Sequence, residues 1–129
     1  MAKVLISPGK YVQGAGEMKK LGEYAQNYGK KALILISKGG YKRIGVMVEK
    51  SFEGKECGYV FDYFNGECSK KEIKRLGEIV KKEACDVVIG IGGGKIFDTA
   101  KAVAYYEKTP VLICPTIAST DAPCSALSV

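Results

Sequence analysis

Apolar residues in this chain fall in short unbroken blocks separated by stretches of mixed polarity. Ala32-Leu33-Ile34-Leu35-Ile36, Val87-Val88-Ile89-Gly90-Ile91 and Val111-Leu112-Ile113-Cys114 are continuous apolar runs. Runs of that length suit strands covered on both faces. Gly58-Tyr59-Val60-Phe61 predicts a further strand, and Val4-Leu5-Ile6 is a shorter strand-like run. Amphipathic segments lie between them. Ser69 to Ala84 is the clearest: Ser69 can cap a helix, Glu72 three residues on completes a capping box, and Ile73, Leu76, Ile79 and Val80 form one apolar stripe. Glu17 to Tyr28, Tyr41 to Phe52 and Lys95 to Tyr106 predict less regular helices. Strands alternating with helices imply βαβ units, hence an α/β fold with a Rossmann-like parallel sheet flanked by helices. Ligands of such sheets bind at the carboxyl ends of the strands. The segments after Ile91 and after Cys114 fall at such ends.

The first of these segments is rich in glycine. Asp86 to Lys101 reads as a buried strand, a turn at Gly92-Gly93-Gly94, and the first turns of a helix beginning with Lys95. Three bare residues expose backbone N–H groups at the positive end of a helix dipole, a setting suited to phosphate. Glycine there costs conformational entropy, which points to a ligand that must approach the backbone closely. A dinucleotide pyrophosphate fits.

Composition narrows the choice. The 129 residues suit one domain, residues 1–129, with a moderate core, and the 47% apolar and 26% charged content is that of an ordinary globular chain. Charges interrupt every apolar run, so no membrane span is predicted. The amino terminus lacks a signal-peptide pattern, so a cytoplasmic location is expected. The net charge of +6 raises nucleic-acid binding. Lysines interleaved with glutamates, as in Lys70-Lys71-Glu72 and Lys81-Lys82-Glu83, describe solvated helix faces, and nucleic acid is not an expected partner. The five cysteines form no C-x-x-C pair and read as reduced thiols, with Cys85 and Cys114 as small core residues. The chain contains no histidine. Ser-His-Asp and Cys-His catalysis are thereby removed, as are the commonest catalytic zinc ligands.

Two familiar glycine motifs fail. A G-x-G-x-x-G fingerprint starting at Gly90 meets Lys95 where its third glycine belongs. A P-loop ending at Gly94-Lys95 has Ile89 for its first glycine and Ile96 for the Ser or Thr that would hold magnesium. What remains is G-G-G-K-x-x-D-x-x-K, Gly92 to Lys101. This pattern resembles the glycine motif of the iron-containing, or group III, alcohol dehydrogenases. The block Pro115-Thr-Ile-Ala-Ser-Thr-Asp-Ala-Pro-Cys-Ser-Ala-Leu-Ser-Val129 is similar to that of the glycerol dehydrogenase branch. Ser7-Pro8-Gly9-Lys10-Tyr11 and Gly66-Glu67-Cys68-Ser69 agree with it. The resemblance covers the whole chain but only the amino-terminal, nucleotide-binding part of the family's proteins.

The resemblance implies an NAD-dependent oxidation of glycerol to dihydroxyacetone, with glycerol or a related small polyol as substrate. It implies NAD pyrophosphate contacts from Gly94, Lys95 and Asp98, with Gly92 and Gly93 shaping the turn. It implies further cofactor contacts from Thr116, Ile117, Ala118 and Ser119, and from Ser125 and Leu127 near the nicotinamide. Asp121 matches the position that contacts the polyol; by residue type alone it reads as a helix or turn cap. The family's divalent metal, zinc or iron, is held by one Asp and two His of a helical domain that lies beyond this chain. The full-length protein is expected to be a homo-oligomer.

Two positions depart from the family. Ser37, followed by Lys38, stands where an acidic residue usually holds the adenosine ribose; this predicts weaker discrimination against NADP. Ile96 replaces a small hydroxyl residue and removes one potential phosphate hydrogen bond, an expected cost of about 1 kcal/mol. The apolar run Ser125 to Val129 reads as a cut through a longer protein. The expectation is therefore a nucleotide-binding domain truncated at its C-terminal end and inactive alone. The alternatives are a stand-alone nucleotide-binding module and a non-functional remnant.

Overall fold

The computed structural model describes residues 10–11 and 19–115. The elements run β1 (Lys10–Tyr11), α1 (Leu21–Ala25), β2 (Lys31–Ile36), α2 (Lys38–Ser51), β3 (Gly58–Tyr63), α3 (Lys70–Glu83), β4 (Val87–Gly92), α4 (Gly94–Glu107) and β5 (Val111–Pro115). The five strands form one sheet in the order β1-β5-β4-β2-β3, and every pairing is parallel.

Alternation along the central strands divides the core in two. Ala32, Ile34 and Ile36 of β2 and Val87, Ile89 and Ile91 of β4 pack on one face with Leu21 and Ala25 of α1 and Val48 of α2. Leu33, Leu35 and Val88 point to the other face, against Leu76 and Val80 of α3 and Ala100, Val103 and Ala104 of α4. Both faces are thus covered, which is why these strands read as unbroken apolar runs. Gly90 lets α4 come close, since a Cβ there would stand 2.9 Å from the Ala100 Cβ.

Among the described residues the predicted elements are present, with shifted limits. α2 begins at Lys38, three residues before the expected Tyr41, because Ser37 caps it by accepting a hydrogen bond from the Gly40 N–H at 2.9 Å. Gly39 and Gly40 form its first turn. The helix expected over Glu17 to Tyr28 is only Leu21–Ala25 among the described residues. β1 was not foreseen: two residues show no periodicity, and the pairing of Lys10 with Leu112 and Tyr11 with Ile113 exists only because β5 offers an edge. Val4 to Ile6 and Ser125 to Val129 lie outside the described residues.

The Ser69 cap is as predicted, its Oγ accepting from the Glu72 N–H at 3.1 Å. The Glu72 carboxylate has a larger role. It accepts from both Nε and Nη2 of Arg75, each at 2.8 Å, and from the Asn65 N–H at 3.2 Å. Arg75 also pairs with Asp62 of β3 at 2.9 Å. This network fastens the start of α3 to the carboxyl end of β3.

Candidate functional site

The sheet order contains one reversal. From β2 the chain moves outward to β3, then returns to place β4 on the other side of β2, and β5 beyond β4. The carboxyl ends of β2 and β4 therefore flank a topological switch point, where open α/β sheets leave a crevice for ligands. Ile36 pairs with Ile91, so Ser37 and Gly92 follow side by side at the carboxyl ends of β2 and β4. Gly92 pairs with Pro115, which brings the end of β5 to the same level.

The glycine turn has its predicted form. β4 ends at Gly92, whose φ of +147° is a conformation L side chains rarely adopt. Gly93 is the N-cap of α4, in an extended conformation and without a side-chain cap hydrogen bond. α4 has no acidic residue in its first turn. The first N–H groups of a helix have no partner within it. In α2 and α3 a serine hydroxyl accepts one of them, whereas α4 supplies no such acceptor of its own.

Gly93 and Gly94 differ from Gly92. Neither has positive φ, and a Cβ built on either meets no atom within 4 Å. Neither backbone conformation nor packing within the described residues requires glycine at these positions. The two glycines keep a space open beside an uncapped helix start, which is what a phosphate approaching the backbone needs.

Lys95 and Asp98 are both exposed on α4, one turn apart. Lys95 Nζ lies 3.3 Å from Glu67 Oε2 in the β3–α3 connection. The pair is 65% and 74% exposed, so it contributes little to stability. Glu67 is the site neighbour that sequence reasoning did not single out, since 28 residues separate it from Lys95. Ile96 and Phe97 point inward and anchor the turn in the core. Ile96 is a packing residue, seated against Gly90 and Gly92.

Of the other predicted positions, Ser37 lies at the end of β2, its hydroxyl serving as the α2 cap. Thr116, Ile117, Ala118, Ser119, Asp121, Ser125 and Leu127 lie outside the described residues. For a divalent metal, no group of three or more His, Cys, Asp or Glu side chains comes together among the described residues. Cys57, Cys85 and Cys114 are buried, and desolvation pushes the first two thiols up to about 11 and raises the third further, so none is a ready thiolate. No helix among the described residues is long and apolar enough to cross a membrane.

Known proteins share this sequence and this fold. The sequence is 49% identical over 131 residues to a glycerol dehydrogenase of Escherichia coli O6:H1, covering all of this chain and 35% of that protein. It is 48% identical to a glycerol dehydrogenase of Thermotoga maritima, with the same coverage. The chain therefore spans about a third of the length of these relatives. The fold matches the crystal structure of a probable glycerol dehydrogenase from Sinorhizobium meliloti 1021 with a TM-score of 0.74 and 41% identity, over 92% of this chain and 32% of that one. It matches the glycerol dehydrogenase of Schizosaccharomyces pombe with a TM-score of 0.76 and 32% identity, over 89% and 29%. Residues 8–129 match the family of iron-containing alcohol dehydrogenases, and the chain belongs to that family.

Proposed function

We infer that this chain is a dinucleotide-binding domain, and that its glycine turn takes the pyrophosphate of NAD or a close analogue. The observation that carries the reading is the pair Gly93 and Gly94, which the described packing leaves bare at an uncapped helix start. The N–H groups of Gly94, Lys95 and Ile96 are directed at the bound anion, and Lys95 leaves Glu67 to neutralise it. Gly92 supplies the sharp exit from β4 that lets the phosphates come close. When bound, the nicotinamide supplies a hydride acceptor; the chain's part is to hold it in register at the switch point. Thr116 to Ser119, Ser125 and Leu127 complete this grip in our reading.

The glycerol dehydrogenase relatives support a small polyol as the substrate of the complete protein, oxidised at one hydroxyl, with Asp121 accepting a hydrogen bond from it. The described residues offer no donor set that fits a divalent metal, and the sequence has no histidine, so no step through a metal is assigned to this chain. Nucleotide binding without turnover is the activity expected of these residues by themselves.

Titration with NADH, followed by the fluorescence of the reduced nicotinamide, is the direct test. The chain has no tryptophan to interfere. The expected result is saturable binding that Gly94→Glu abolishes, because a carboxylate then occupies the phosphate position while remaining compatible with a helix start. Equal NADH binding by the parent and the Gly94→Glu protein would overturn the assignment of the turn.

A further inference from the structure

The start of α4 takes its acidic neighbour from another element. A helix N-terminus is stabilised by negative charge, yet α4 has no acidic residue in its first turn and no side-chain cap. α3 and α4 pack on the same face of the sheet, which brings the β3–α3 connection to the first turn of α4. From that connection Glu67 reaches Lys95, the residue that follows the glycine turn, with Oε2 3.3 Å from Nζ.

Glu67 is placed by a series of hydrogen bonds rather than by burial. Its backbone N–H donates to Asn65 Oδ1 at 3.1 Å, across Gly66, whose φ is +107°. An Asn side chain that accepts the N–H two residues on closes a tight turn. The Asn65 N–H donates in turn to Glu72 Oε2 at 3.2 Å. Glu72 is held by Arg75, and Arg75 by Asp62 of β3. The turn that carries Glu67 is therefore tied both to α3 and to the carboxyl end of β3. A long exposed side chain loses rotamer freedom when it forms an ion pair, and a fixed backbone beneath it leaves less freedom to lose.

A pyrophosphate on the glycine turn gives Lys95 a choice between two anions, the phosphates and the Glu67 carboxylate. Turning to the phosphates breaks the ion pair. It also leaves an unpaired carboxylate close to ligand charge of the same sign, which is unfavourable. In the free chain Glu67 thus supplies the anion that Lys95 would otherwise lack, and binding has to separate the two. Because both side chains are exposed, the competition lowers affinity by a small factor and does not block the site.

We propose that Glu67 is a positioning residue that competes with the cofactor phosphates for Lys95, and so sets how tightly the glycine turn holds a dinucleotide. It touches no reacting group and acts through the Lys95 ammonium. The proposal rests on the cofactor reading given above and deepens it, by naming the residue that tunes affinity at that same turn.

The test is NADH titration of the parent chain, Glu67→Gln, Lys95→Met and the double variant, at low and at high salt. Glu67→Gln keeps the size of the side chain and removes its charge. At low salt it should bind NADH about two- to fivefold tighter than the parent, the range typical of exposed ion pairs, and the gain should shrink as salt screens the charges. In the Lys95→Met background the same substitution should change binding little. Weaker or unchanged NADH binding by Glu67→Gln overturns the proposal. So does an undiminished gain in the Lys95→Met background, because Glu67 would then act on the phosphates directly. If NADH binds, and Gly94→Glu abolishes that binding, a failure of either kind leaves the cofactor reading standing. If the parent binds no NADH, both fall. Should Lys95→Met bind too weakly to measure, or fail to fold as judged by circular dichroism, the ratio of Glu67→Gln to parent decides alone.

Discussion

Gly92 and Gly94 are two residues apart and do different work. At Gly92 the backbone itself requires glycine, with φ at +147°. Gly92→Ala should cost about 1–3 kcal/mol, read as a lowered denaturant midpoint. Gly94 lies in the first turn of α4, with open space around it. Gly94→Ala should leave stability unchanged or raise it by about 0.5–1 kcal/mol while weakening NADH binding. A joint loss of stability and binding would make Gly94 a packing residue instead. Glu72 shows a different residue-scale effect. Its hydrogen bonds from Arg75, aided by the Asn65 N–H, hold its pKa below the ordinary value of 4.5 against the opposing pull of burial. The stability this contributes is fully present above that ordinary value and is lost as pH falls through the lower folded-state value. Urea midpoints should therefore decline below about pH 4.5, and Glu72→Gln should flatten that decline and cost about 1–3 kcal/mol at neutral pH. Ser69 as a cap was legible from its type and its spacing to Glu72. That Glu72 would be spent on Arg75 and Asn65 was not, because the packing of α3 on β3 decides it.

Among the elements, the central strands were the most legible, because burial on both faces leaves nothing but apolar side chains. The helices were read less well at their starts. α2 begins earlier than its pattern suggested, since a single hydroxyl from Ser37 offsets the poor propensity of Gly39 and Gly40. α1 is short, and its place depends on contact with α2. A Cβ on Gly22 would lie 2.2 Å from the Ser51 carbonyl oxygen, and the Gly22 N–H donates to Ser51 Oγ at 3.0 Å. Gly22→Ala is thus expected to cost about 1–3 kcal/mol by forcing the helices apart, and Ser51→Ala a smaller amount. Thermal melts of the two variants check the order; a harmless Gly22→Ala would mean that α1 is not docked as described. The uncapped start of α4, against the capped starts of α2 and α3, is the element-scale basis of the phosphate assignment.

For the whole molecule, two apolar layers enclose one sheet and leave its carboxyl edge to chemistry. Cys57, Cys85 and Cys114 are buried within those layers, while Cys68 is exposed on the β3–α3 connection. Burial raises the three enclosed thiols. In the native chain at mildly alkaline pH, Cys68 should react with iodoacetamide well before the three buried thiols, by mass mapping; denaturant should equalise the rates. Early labelling of Cys114 would contradict the enclosure of β5. The sequence alone determined the α/β class, the central strands, the glycine turn and the family resemblance. Each of these is written in local spacing: apolar runs, a cap, three consecutive glycines and the residues that follow them. Tertiary structure alone decided the strand order, and with it the neighbourhood of Ser37 and Gly92. It also decided the Lys95–Glu67 contact, the inward seat of Ile96 and the approach of Lys38 to the Tyr63 ring. These depend on contacts between separate elements, which no local pattern encodes, because they form only when the helices cover both faces of the assembled sheet.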